Sequence, residues 1–239
     1  MAFKEDMDLI FLEHCSLDVL VNYLIYDKDG EQRILEKLTS KPLYRKYQPN
    51  HQKYWRNIAE QVQLYGANSI VSFIRGNKGV SYRKILGDVC KKMKVDFIED
   101  DDIKVIERSL MLKMLSNSID NMSPEELEQL VDQLHLDVAN MSKETVKDAF
   151  LKGWKIGSSS LVLMASGILA KAIALRFGMA SVATVGLGVA GVSSAALNVL
   201  LGPIGLAALA GVSIAGPAYR VTIPCVTQIA YMRVKKTAT

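Results

Sequence analysis

A chain of 239 residues, 49% hydrophobic and 23% charged, has room for one large or two small domains and sits at the apolar edge of globular usage. Its net charge of +4 conceals two unlike parts: residues 1–148 hold all 25 acids and 21 of the 29 bases, whereas residues 149–239 hold eight bases and no carboxylate. Three scattered cysteines (Cys15, Cys90, Cys225) exclude a disulfide framework or a thiolate zinc site, and the early acids of MAFKEDMDLIFLEHC are not those of a signal peptide, so a cytoplasmic bulk is expected.

In chain order, MDLIFLEHCSLDVLVNYLI places Leu9, Leu12, Leu17, Leu20, Val21 and Leu24 at helical spacings. A break is expected near Cys15, with Ser16 placed to cap the second piece. DKDG at 27–30 reads as a turn, EQRILEKL as a new helix, and KPLYRKYQPNHQKY as a loop broken by Pro42 and Pro49. Helix resumes over YWRNIAEQVQLYGANSIVSFIRGNKG, with an interruption expected at residues 65–68. In VSYRKILGDVCKKMKV the residues Tyr82, Ile85, Leu86, Val89 and Met93 share one helical face. VDFIE at 95–99 is the one short strand candidate. DDDIKVIERSLMLKMLSNSI opens on acids that suit a helix N-terminus. SPEELEQLVDQL opens on a capping box of Ser123 and Glu126 with Pro124 between them, and SKETVKDAFLKGW starts a further helix at Ser142. The expected fold is all-α: a multi-helix cytoplasmic domain over 1–150, then a Gly/Ala-rich apolar helical region over 151–239 with a candidate membrane hairpin at 177–219.

That hairpin is the strongest signal. Phe177–Tyr219 runs 43 residues without one Asp, Glu, Lys, Arg or His. Gly202, Pro203 and Gly205 form the candidate turn, dividing it into arms of roughly the ~20 residues that cross a core about 30 Å thick. Small residues recur at multiples of four (Ser158, Ser166, Ala170, Ala174, Gly178; Ala207, Gly211, Ala215), a spacing that lets helices approach closely in lipid or in water. Lys171 and Arg176 precede the run and Arg220, Arg233, Lys235 and Lys236 follow it, as candidate interfacial basic residues. The positive-inside rule then puts both ends in the cytoplasm. The second arm is weak. Ile204, Leu206, Leu209, Val212 and Ile214 contribute roughly −1.5 to −3 kcal/mol on the insertion scale, so insertion as a pair and burial in a soluble bundle both fit. Residues 157–175 add a third apolar stretch, interfacial or packed on the hairpin.

Catalytic signals are missing from the sequence. His14, His51 and His135 stand apart, DKDG lacks the rest of a calcium loop, and Glu99–Asp102 reads as a helix start. No catalytic, metal or cofactor-binding residue is assigned, and neither a cofactor nor a small-molecule substrate is indicated. The candidate binding loop is Arg75-Gly76-Asn77-Lys78-Gly79, with Lys84, Lys91, Lys92 and Lys94 downstream. A GxxG loop clamps nucleic acid in KH domains, but the flanks offer almost no sheet, and an interhelical turn with glycines at positive φ explains it as well. Tyr44, Tyr47, Tyr54 and Trp55 lie among Arg45, Lys46, Lys53 and Arg56, which suits RNA or lipid headgroups and equally suits ordinary packing.

Three segments, DLIFLEHCSLDVL (8–20), WRNIAEQVQLYGANSIVSFIRGNKGVSYRKILGDVCKKMKV (55–95) and GPAYRVTIPCVTQIAYMR (216–233), together resemble the YaaW-like family of uncharacterised bacterial proteins, in the family's order and over most of the chain. That family is remotely similar to the ubiquinol–cytochrome c chaperone group. The resemblance implies an all-helical protein that binds near a membrane, and points to the GNKG loop and the YRVTIP segment as places for a shared site. The leading expectation is a non-enzymatic, membrane-associated adaptor or chaperone-like protein. Its partners would be a protein and membrane lipid, at the cytoplasmic face of the inner membrane or in the cytoplasm with inducible membrane association. One alternative is a membrane-perturbing protein with a sheltered hairpin. Another is a soluble helical scaffold or nucleic-acid-binding protein, with nucleic acid as its partner.

Overall fold

A computed structural model of the chain describes residues 5–69, 79–134, 136–138, 140–156, 159–176 and 219–238. The fold is all-α. Its helices are α1 Asp18–Ile25, α2 Pro42–Tyr47, α3 Trp55–Ser69, α4 Tyr82–Lys92, α5 Ile103–Asp120, α6 Pro124–Leu134, α7 Lys143–Ile156, α8 Ser159–Arg176 and α9 Tyr219–Thr237, with 3-10 helices at Met7–His14 and His51–Tyr54. Among the described residues the only pairing of extended backbone is an isolated bridge between Tyr26 and Gln32, and VDFIE is not a strand. It is an irregular return along α4, with Val95 N–H donating to the Cys90 carbonyl (2.9 Å).

Local signals govern where helices begin. The Ser123 hydroxyl accepts from Glu126 N–H (3.3 Å) while the Glu126 carboxylate accepts from Ser123 N–H (2.8 Å), the reciprocal box expected. Asp102 caps α5 through Lys104 N–H (2.8 Å), and Ser142 caps α7 through Thr145 N–H (3.2 Å). Pro42 starts α2 rather than breaking it, because a first-turn proline lacks only an N–H that had no partner to lose. EQRILEKL forms no helix: Leu38 is buried but Ile34 and Leu35 have no core to face. Helix α3 runs unbroken through residues 65–68. Gly66 is there for proximity, since a Cβ at that position would lie 2.3 Å from Ile85 Cγ1 of α4.

The centre of the bundle is α9. Every residue from Val221 to Met232 is buried, so this helix is covered on all sides. It belongs to the same hydrophobic core as Leu12, Leu24, Ile58, Leu86, Leu110 and Ile173. The boundary expected near residue 150 therefore does not separate two cores among the described residues.

Helix directions follow from pairs along α9. Arg233 meets Glu107 (2.8 Å) and Thr227 meets Met114 (3.9 Å), so α5 is antiparallel to α9. Tyr82 at the start of α4 donates to the same Glu107, while Lys92 at its end lies 5.6 Å from the Tyr219 ring. Val162, early in α8, shares a cavity with Val234 and Thr237, late in α9, so α8 is antiparallel too. The second halves of α1 and α3 bring Tyr23 and Tyr65 beside Cys225. The carbonyl ends of these helices thus gather around Tyr219, where α9 begins.

Candidate functional site

The two ends of α9 carry different chemistry, set about 28 Å apart by its 19 residues. At the Arg233 end charge is buried and paired. Arg233 Nε donates to Glu107 Oε2 (2.8 Å), its second nitrogen donates to the Asp8 carbonyl (2.7 Å), and its guanidinium lies 4.1 Å from the Phe11 ring. Glu107 Oε1 accepts from the Tyr82 hydroxyl (2.8 Å). Asp6 accepts from Tyr82 N–H (2.6 Å), Gln63 (3.4 Å) and Asp8 N–H (3.2 Å), tying the first 3-10 helix to the start of α4. Burial pushes the Glu107 carboxyl above its ordinary range, against the pull of Arg233 and Tyr82. Burial also pulls down on Arg233, but Glu107, Tyr82 and Asp8 reverse that and raise it.

A cavity of about 340 Å³ adjoins this knot, lined in part by Lys104, Arg108, Met111 and Trp154. Both carboxylate oxygens of Glu107 and two guanidinium nitrogens of Arg233 are taken up by partners within the fold, so the knot reads as a fastening of distant segments. The three cysteines are buried free thiols, and burial pushes those of Cys90 and Cys225 up to about 12, far from reactive thiolates. No group of three or more His, Cys, Asp or Glu among the described residues is placed to hold a metal.

The Tyr219 end holds the two described residues that flank the apolar segment in the chain. Because α8 and α9 are antiparallel neighbours, Arg176 and Tyr219, which flank residues 177–218 in the chain, lie at one end. Arg220 and Lys92 are exposed at this end, and Lys171 is half-buried. Part of this positive charge answers the carbonyl ends of the surrounding helices. Among the described residues no helix is long and apolar enough to cross a membrane. Most of the candidate hairpin, including the turn residues Gly202, Pro203 and Gly205, lies outside the described residues.

The structure divides the six candidate interfacial basic residues. Lys171, Arg176 and Arg220 belong to the Tyr219 end. Lys235 and Lys236 are exposed in the last turn of α9, at the opposite end, because one continuous helix carries them away from the segment they follow in sequence. Arg233 is turned inward, its side chain only 12% exposed against Glu107. Of the binding loop, Arg75, Gly76, Asn77 and Lys78 lie outside the described residues. Gly79 packs on α3, where a Cβ would meet Gln63 Cβ at 2.9 Å, and its φ is not positive. Close approach explains this glycine without a ligand. The aromatic–basic cluster is folded on itself: Tyr54 and Trp55 are buried, Tyr44 meets Tyr54 edge-on, and Arg56 and Lys46 lie over Trp55 and Tyr47.

Sequence reading missed Glu107 and Asp6. The signal for Glu107 was present, since it shares the apolar face of α5 with Ile103, Ile106, Leu110 and Met114.

The class defined by this geometry is an all-helical bundle threaded by its last described helix, with the two residues that flank a long uncharged stretch of sequence at one end. The chain belongs to the UPF0174 family of bacterial proteins. It is 38% identical to a UPF0174 protein of Helicobacter pylori strain J99, an alignment covering 98% of this chain and 94% of that one. It is 31% identical to the UPF0174 protein YaaW of Escherichia coli strain K12, over 99% of this chain and 98% of that one. Residues 3–34 match a domain of unknown function, DUF3944. No solved structure matches the chain.

Proposed function

We propose that the protein is a non-enzymatic, membrane-associated adaptor: residues 177–218 anchor it in a bilayer while the helical bundle holds a protein partner. The observation that carries this reading is the antiparallel pairing of α8 with α9. It delivers both ends of a 42-residue uncharged segment to one end of the molecule, as a hairpin anchor needs and without strain on the bundle. At 1.5 Å per residue, an arm of about 20 residues spans the ~30 Å hydrocarbon core. Charge agrees. Every Lys and Arg of residues 149–239 lies outside the segment, so the whole bundle stays on one side of the bilayer under the positive-inside rule.

Flotation of the purified full chain with dye-loaded vesicles tests the proposal. Co-flotation without dye release is expected. Co-flotation with dye release would favour the membrane-perturbing alternative, and protein left at the bottom of the gradient would remove the anchor. The cytoplasmic face of the inner membrane is the location this reading assigns.

A further inference from the structure

We propose that the loop joining α1 to α2 is a second lipid contact, seating Ile34, Leu35 and Tyr26 in the interfacial layer of the same bilayer that residues 177–218 enter. This inference rests on the anchor reading above. Three observations carry it.

The first is exposure. Ile34 is 100% exposed, Leu35 55% and Tyr26 39%. Single exposed apolar residues need no explanation, but here three stand on one short loop, and clusters of exposed apolar side chains mark contact sites.

The second is construction. A loop with spare apolar residues ordinarily folds them in; this one is pinned open by hydrogen bonds. Asp27 Oδ1 accepts from Asp29 N–H (2.9 Å) and Glu31 N–H (3.0 Å), and Gly30 turns the chain at φ +83. Arg33 N–H donates to the Ile25 carbonyl (2.8 Å) and Arg33 Nε to the Tyr23 carbonyl (3.0 Å). Gln61 of α3 grips the far side, accepting from Lys37 N–H (3.1 Å) and donating to the Leu35 carbonyl (3.4 Å). The apolar pair is held out by the backbone on either side of it.

The third is position. Arg33 has both Cys225 and Arg220 among its electrostatic neighbours, so the loop borders the first turns of α9, which directly follow the uncharged segment in sequence. A separate element presents an apolar side chain at that end. Met141, 47% exposed, stands two residues before Lys143, whose ammonium donates to the Asp120 carbonyl (2.7 Å) at the end of α5. The nearby acids are mostly occupied: Asp27 by the turn, Asp29 by Lys28 (2.8 Å), and Glu36 by Thr39 N–H (2.6 Å) and Gln32 (2.7 Å). Lys37 and Arg220 are exposed and can meet headgroup phosphates beside these apolar side chains, the composition of an interfacial contact.

The test uses the full chain carrying Ile34→Cys or, as a control, Met7→Cys, each labelled with the environment-sensitive dye NBD. The native cysteines are buried and Met7 is 79% exposed. Met7 lies near the Arg233 end, beside Asp8. Each labelled protein is mixed with vesicles of phosphatidylethanolamine and phosphatidylglycerol, with and without a shallow nitroxide-labelled lipid. The expected result is a blue-shifted, nitroxide-quenched signal at position 34 and a water-like signal at position 7. Floating protein with a water-like signal at position 34 overturns the loop contact and leaves the anchor standing. A shift at both positions means the bundle lies on its flank, which also overturns it. Protein that does not float removes the anchor and this inference together.

Discussion

The two ends of α9 are made from the same kinds of residue and treat them in opposite ways. At the Arg233 end an arginine and a glutamate are buried against each other, and segments as distant as Asp8 and Arg233 are fastened by hydrogen bonds. At the Tyr219 end arginine and lysine point outward, and it is isoleucine and leucine that meet solvent. Burying a charge is tolerable only where its partners are fixed in advance. Exposing Ile34 on a pinned loop gains nothing in water. The contrast identifies one end as the closure of the fold; under the anchor proposal the other is the face directed at the bilayer.

The largest effects should come from breaking the closed end. Glu107→Gln leaves Arg233 buried without a counter-charge, and a loss of about 3–5 kcal/mol is expected in urea unfolding. Arg233→Leu should cost less, because the stranded Glu107 can take up a proton and arginine cannot give one up. The sign of the accompanying pH dependence is fixed. With the folded carboxyl held above its ordinary 4.5, the folded state binds the proton more tightly than the unfolded state. The stability this gives is fully present below about 4.5 and is lost as pH rises through the folded value. Unfolding of Arg233→Leu followed upward from that pH should show a steeper loss than the native chain, and a flat profile would contradict the assignment.

Smaller effects sharpen the comparison. Gly66→Val forces branched carbon into the place where α3 meets Ile85, and overpacking of this kind costs about 1–3 kcal/mol, measurable as a lowered Tm. Ser123→Ala removes one side of the capping box and should cost about 0.5–2 kcal/mol. Ile34→Ser should leave stability within about 0.5 kcal/mol by denaturant titration, since nothing packs on that side chain. A large loss there would mean that the loop is structural and has no need of a lipid.

What was legible in the sequence was local. The α4 face and the capping box at Ser123 depend on residues within one or two turns and formed as expected, and the acids before α5 do stand at its start. What was hidden depends on distant partners. Arg233 reads as an interfacial base because it trails an apolar run, and only the fold reveals its acid 126 residues away. Helix α9 has no polar face to give it a period, since all its sides are covered, so nothing in YRVTIPCVTQIAYM marks it as the hub. EQRILEKL has helical spacing, but its Ile34 and Leu35 are not matched by any surface of the bundle. Gly66 reads as an interruption by propensity, while tertiary contact makes it the condition for two helices to touch.

The central claim is that the uncharged segment lies in a bilayer. The most direct test is carbonate extraction of membranes from cells expressing the full chain, beside a variant with Leu187→Arg and Val212→Arg near the middle of the two arms. The account predicts that the native chain resists carbonate and is released by detergent, while the doubly charged variant is released by carbonate, because arginine at mid-bilayer adds about 2.5–3.5 kcal/mol per site. A native chain found in the supernatant, or a variant that stays in the membrane as firmly as the native chain, would contradict it.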